Sequence, residues 1–200
     1  MDNYEISRDR AQAYFLGFDQ NELIRTWGLE HDEGHLYVRF FDRDYRISRQ
    51  DGTVLRWWSG EPAGFSEVLS IFDLLCHTGT TKTVSGQFAP VNSLKGRPPM
   101  GVGTDFHTGV ASRFDRDVDA FARACRELGG TPVAMGDLGF RFSVFGELSV
   151  ILKFYRADED FPASLTLLWD DNTLAFVFYE TVFYMAGHLL GAIAEIMDKE

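Results

Sequence analysis

Cysteine is nearly missing from this sequence, with only Cys76 and Cys125 in 200 residues. Two cysteines cannot hold an iron–sulfur cluster on their own. Both fall inside apolar helical patterns, where a thiol behaves as a small hydrophobe. Lysine is also scarce, confined to Lys82, Lys95, Lys153 and Lys199. With 19 basic against 30 acidic residues the net charge is −11, and several arginines sit beside acids, as in Arg8-Asp9-Arg10. Such a chain lacks the cationic footprint that nucleic acid or an anionic membrane surface requires. Unbroken apolar runs are absent too. The greasiest stretch, Leu174 to Met197, is interrupted by Glu180, His188 and Glu195. A lipid-spanning helix wants about 20 uninterrupted apolar residues, so a core strand followed by a core helix is expected there. The opening Met1-Asp2-Asn3-Tyr4-Glu5 carries neither the basic nor the apolar region of a secretory signal. A cytoplasmic, reducing setting is the expectation.

What is present points to a folded domain. Hydrophobic residues make up 45% of the chain and charged ones 24%, a balance that can sustain a packed core. The spacing of Ala11, Tyr14, Phe15 and Phe18 predicts a first helix over 6–18. A short second helix through Leu23, Ile24 and Trp27 follows, capped by Asp19. From His35 the period becomes two. Leu36, Val38 and Phe40 alternate with Tyr37, Arg39 and Phe41, and turns are expected at Asp42-Arg43-Asp44 and Asp51-Gly52. A second alternating region begins near Phe140, with a tight turn at Asp170-Asp171-Asn172 and a last strand over 173–178. The expected fold is therefore α+β. Two antiparallel meanders, about 34–58 and 138–178, are covered by helices 65–77, 110–128 and 180–197. Residues 1–200 are expected to form a single domain. The competing arrangement is two lobes joined by the irregular segment 79–108, which holds Pro90, Pro98, Pro99 and several glycines.

Motifs that carry chemistry are few. Asp158-Glu159-Asp160 concentrates three carboxylates between two strands, and Asp170 follows one strand later. Converging carboxylates can bind a hard cation or split their pKa values for acid–base work. Exposed turns rich in acid are the better explanation of them. Phe161 is expected to anchor this loop in the core. His77, His107 and His188 are the available nitrogen ligands, but none pairs at metal-binding spacing and no HExxH occurs. Gly101-Val102-Gly103 lacks the phosphate-loop pattern, although Arg97 could bring positive charge nearby. Adjacent Trp57 and Trp58 must face opposite ways on a strand, so one lies outside the buried face. Trp58, His107 and Arg97 are therefore the ligand-binding candidates. The catalytic candidates are Asp158, Glu159, Asp160 and Asp170. No residue pattern names a cofactor or a resident metal.

The run Phe154-Tyr155-Arg156-Ala157-Asp158-Glu159-Asp160-Phe161-Pro162, leading into Leu167-Leu168-Trp169-Asp170, resembles domain-of-unknown-function family 3786. That family shows an apolar strand, an acidic Phe-Pro segment, then a second aspartate, and it ends in a helix. The helix around Ser66 to Cys76 and the segment from Phe88 to Gly96 are similar to its central helix and following loop. The resemblance implies an anaerobic host and no established activity. Some members are fused to cysteine-rich ferredoxin-type modules, whose cysteines this chain lacks. Three function classes follow. One is a binding or accessory protein of anaerobic metabolism, acting on an unidentified small molecule or protein partner. The second is a carboxylate-based, divalent-metal-dependent enzyme using the Asp158–Asp160 loop. A structural subunit, with an apolar patch and no pocket, is the third.

Overall fold

The structure, a computed structural model, describes residues 3–77, 82–98 and 108–199. Helices α1 (Asn3–Leu16) and α2 (Gln20–Trp27) open the fold. Asp19 caps α2 by accepting from the backbone N–H groups of Asn21 and Glu22, as its position before the apolar pattern predicts. Strands β1 (Glu30–His31), β2 (His35–Phe40), β3 (Arg43–Ser48) and β4 (Val54–Arg56) form a four-stranded antiparallel sheet in sequence order. Leu36 lies opposite Ile47 and Val38 opposite Tyr45, so one face of the pleat is apolar throughout.

The hairpin between β2 and β3 sits one residue earlier than expected. Phe41 and Asp42 form it, with φ of 46° and 58°, while Arg43 and Asp44 pair within the ladder. A two-residue turn with positive φ at both positions matches the twist of its strands. An aromatic residue there is strained by about 1–2 kcal/mol. Burial of the Phe41 ring and a 3.0 Å bond from its N–H to the carbonyl of Val144 hold it. That bond reaches the second sheet.

Helix α3 (Phe65–Cys76) follows. The second sheet runs β5 (Phe88–Pro90), β9 (Ser164–Asp170), β8 (Leu148–Tyr155), β7 (Leu138–Phe145), β6 (Thr131–Pro132). Strand β5 was not expected. It lies in the irregular segment, of which residues 79–81 and 99–107 are outside the described residues. The helix expected over 110–128 is two helices, α4 (Thr108–Phe114) and α5 (Val118–Glu127), with a 3-10 turn between them. Asp117 causes the break. Its side chain accepts from the N–H of Ala120 and caps α5, so the local bond replaces a continuous helix.

The last strand of the expected meander is also absent. Residues Thr173–Ala175 make a 3-10 turn, because the Thr173 hydroxyl donates to the Asp170 carbonyl at 2.6 Å. Phe176 and Val177 are both buried, which no alternating strand with one wet face allows. Helix α6 (Tyr179–Met197) closes the fold against α3 and α5. One buried apolar cluster takes Phe15, Leu36 and Tyr45 from the first half and Phe121, Leu152 and Trp169 from the second. No helix among the described residues is long and apolar enough to cross a membrane.

Candidate functional site

Helix α3 carries its polar side chains Ser66, Glu67, Ser70 and Asp73 on one face. Glu67 on that face is buried, with only 3% of its surface exposed. Its oxygens accept from four donors. Tyr45 Oη on β3 lies at 2.7 Å, Arg56 Nε and Nη2 on β4 at 3.0 and 2.5 Å, and the N–H of Gly64 at 2.5 Å. Burial opposes ionisation of Glu67, but the bonds from Arg56, Tyr45 and Gly64 outweigh it and hold the carboxyl below its ordinary range. Burial, together with the Glu67 charge, pushes the Tyr45 phenol up, so it stays protonated and donates.

His188 of α6 stands beside this cluster. Its ring stacks on Phe40 at 5.2 Å and 28° and lies 5.6 Å from Phe41. Desolvation lowers its pKa to about 4; the Glu67 charge opposes this shift, while Arg43 and Arg56 add to it. The imidazole is therefore neutral at pH 7. Trp58 forms the wall opposite. Tyr45 meets it edge-on at 5.3 Å, and the Arg43 guanidinium lies over its ring at 5.0 Å. Among the described residues no carboxylate is within ion-pair distance of Arg43. Arg56, by contrast, is committed to Glu67 through Nε and Nη2. Together Arg43, Arg56, Trp58, Glu67 and His188 line a cleft of about 560 Å³, with Glu61, Glu195 and Lys199 at its rim. Acidic and basic side chains balance there, three against three, unlike the strongly acidic chain as a whole.

A stability test follows from His188. Its folded pKa of about 4 lies below the ordinary 6.5, so the unfolded chain takes the proton first. Stability is thus complete above pH 6.5 and is lost as pH falls from 6.5 towards 4. Urea unfolding is expected to lose about 2 kcal/mol through this group between pH 7 and 4.5, with allowance for the partly exposed ring. The His188→Leu variant is expected to lose that much less over the same interval, since other acids titrate alike in both proteins. Parallel pH profiles for the two proteins would rule the effect out.

The residues singled out from sequence fall in different places. Trp58 lines the cleft. Trp57 lies on the other side of the first sheet, against Tyr37 at 5.5 Å and Arg46 at 5.6 Å. The expected strand does not reach either indole, because β4 ends at Arg56 and both stand in the turn after it. Arg97 is exposed, and its guanidinium donates to Pro98 O at 3.5 Å. It is not part of the cleft. His107 lies outside the described residues. Asp158 accepts from the N–H groups of Asp160 and Phe161 at 2.9 and 2.7 Å, an exposed local turn. Glu159 and Asp160 are exposed beside it. Phe161 does not anchor this loop, because 70% of its surface is exposed. The turn is held by its own backbone and by Asp158 instead.

Asp170 is at the other end of β9, roughly 20 Å along the strand from that loop at ~3.3 Å per residue. It is 1% exposed and accepts from Ser85 N, Ser85 Oγ, Gly86 N and Asn172 N. Burial opposes its ionisation, yet those bonds hold its pKa below the ordinary range. The four candidate carboxylates are therefore not assembled into one site. His77 lies 3.5 Å from Asp73, without a hydrogen bond at Nδ1. No group of three His, Cys, Asp or Glu among the described residues could hold a metal ion.

Sequence reasoning passed over Glu67, Tyr45, Arg56 and Arg43. Glu67 carries no distinct signal, because Ser66, Glu67, Ser70 and Asp73 share one face of α3 and read as a solvated stripe. Its partners carry none either, because each arginine also fits an exposed strand position. The model of a protein family described as Domain of unknown function (DUF3786) matches residues 19–192. No curated protein and no solved structure matches the chain.

Proposed function

Proceeding from the DUF3786 family, to which this chain belongs, we propose that it is a small-ligand-binding protein. Its site is the cleft between the first sheet, the start of α3, and α6. One observation carries the reading: Arg43, unpaired with any described carboxylate, lies over exposed Trp58 beside a buried, fully bonded Glu67–Arg56–Tyr45 cluster. Concave sites with an apolar wall and a few fixed polar groups are where small molecules bind. A guanidinium unpaired with any described carboxylate and set over an indole suits an organic anion, since it can fork onto a carboxylate while the ring takes the carbon skeleton. Neutral His188 supplies an uncharged polar edge on the floor. The role in anaerobic metabolism rests on the family resemblance. The carboxylate-enzyme reading gains no support from geometry, because Asp170 and the Asp158 loop lie at opposite ends of β9.

The test is calorimetric titration and thermal shift with small organic carboxylates, benzoate and butanoate first. A bound ligand raises the apparent Tm by linkage. Trp58→Ala and Arg43→Gln are each expected to weaken binding at least tenfold, about 1.4 kcal/mol. Trp57→Ala, on the other face of the sheet, serves as the comparison and is expected to change affinity less than threefold. Failure of every carboxylate to bind, or equal losses at Trp57 and Trp58, would overturn the proposal.

A further inference from the structure

The cleft has a neighbour on the other flank of α6. Val110, Phe183, Ala186, Leu190 and Ala194 line an apolar groove of about 430 Å³ between α4 and α6. At 100° per residue, Phe183, Ala186, Leu190 and Ala194 fall on one side of the helix and His188, Ala192 and Glu195 on the other. Between the two rows stand Gly187 and Gly191, one turn apart, and both line both concavities. A side chain at either position would form a ridge separating them. Neither glycine is needed for packing, because a Cβ built at Gly187 or Gly191 meets nothing within 4 Å. Glycine inside a helix destabilises it relative to alanine. Its effect here is to leave bare backbone over which the polar cleft and the apolar groove communicate.

Arg113 borders the groove, but its Nη2 is held by the Ala194 carbonyl at 3.3 Å and by Asp198 at 2.5 Å. That guanidinium closes the groove and offers no second anion site. A ligand occupying both spaces must be polar at one end and apolar at the other. We infer that the ligand is an amphiphile, a long-chain monocarboxylate. Its head lies beside Arg43 and Arg56, and its alkyl tail crosses the bare backbone at Gly187 and Gly191 into the groove. This deepens the ligand-binding reading above and rests on it.

The experiment titrates the full chain with butanoate, octanoate and dodecanoate below micellar concentration, and with dodecyltrimethylammonium. Affinity is expected to rise at least thirtyfold from butanoate to dodecanoate, because each buried methylene adds to binding. The cationic amphiphile is expected to bind at least tenfold more weakly than dodecanoate. Ala194→Leu, which fills the groove, is expected to reduce the dodecanoate-to-butanoate affinity ratio at least fivefold. The Gly187→Ala/Gly191→Ala pair is expected to melt higher than the parent while binding dodecanoate less well, so lost binding cannot be ascribed to misfolding. Chain-length independence, with butanoate still bound, overturns the amphiphile and leaves the cleft reading standing. Failure of all three carboxylates overturns both. Equal binding of the cationic amphiphile, or a lower melting point for the alanine pair, also overturns the inference.

Discussion

Replacing Glu67 with Gln is expected to lower the thermal midpoint by roughly 10 °C. Removing one partner of a buried ion pair costs about 3–5 kcal/mol, because the other charge stays desolvated. Each kcal/mol moves the midpoint by about 2–4 °C in a chain of this size. Arg56 is only 30% exposed at its side chain and has Glu67 as its close acceptor. The glutamine amide nitrogen would also face a donor, whether Gly64 N–H, Tyr45 Oη or Arg56. Adding Arg56→Met removes the orphaned charge, and the double variant is expected to be more stable than Glu67→Gln alone. Calorimetry on the two single variants and the double variant completes the cycle. A shift under about 2 °C for Glu67→Gln would show that the cluster carries no such energy.

Asp170→Ala is expected to cost about 3 kcal/mol, and Asp158→Ala less than about 1 kcal/mol. The two aspartates look alike in sequence, since each sits beside another acid at a turn. Asp170 is buried and ties the segment containing Ser85 and Gly86 to the end of β9 across 85 and 84 residues of chain. Its removal leaves three backbone N–H groups without their acceptor. Asp158 bonds only within its own exposed turn, where water can replace it. Urea unfolding of the two variants measures the difference, and hydrogen exchange at Ser85, Gly86 and Asn172 is expected to accelerate only in Asp170→Ala. Equal costs at the two positions would overturn this division.

Local rules were enough for much of the fold. Alternation at Leu36, Val38 and Phe40 set β2 on one face, and Asp19 started the second helix. Those rules failed where a side chain competes with the backbone. Asp117 breaks a helix that apolar spacing alone would continue, and Thr173 bends a segment whose residues suit a strand. Phe41 is the opposite case. Its propensity argues against a left-handed turn, and a bond to Val144 from the other sheet overrides it.

Within the cleft, Trp58 was singled out on the expectation of a strand, but β4 ends at Arg56 and both indoles stand in the turn that follows. Glu67 meets Arg56 and Tyr45 over 11 and 22 residues, from two strands and a helix, and no periodicity encodes such a meeting. The sequence by itself determined the α+β class, the net negative charge, and the core faces of β2 and β3, because these follow from composition and from periods of two and 3.6. Only the tertiary structure decided which polar side chains meet. That depends on how α3 and α6 lie across the first sheet, where an unpaired donor or charge would be costly to bury.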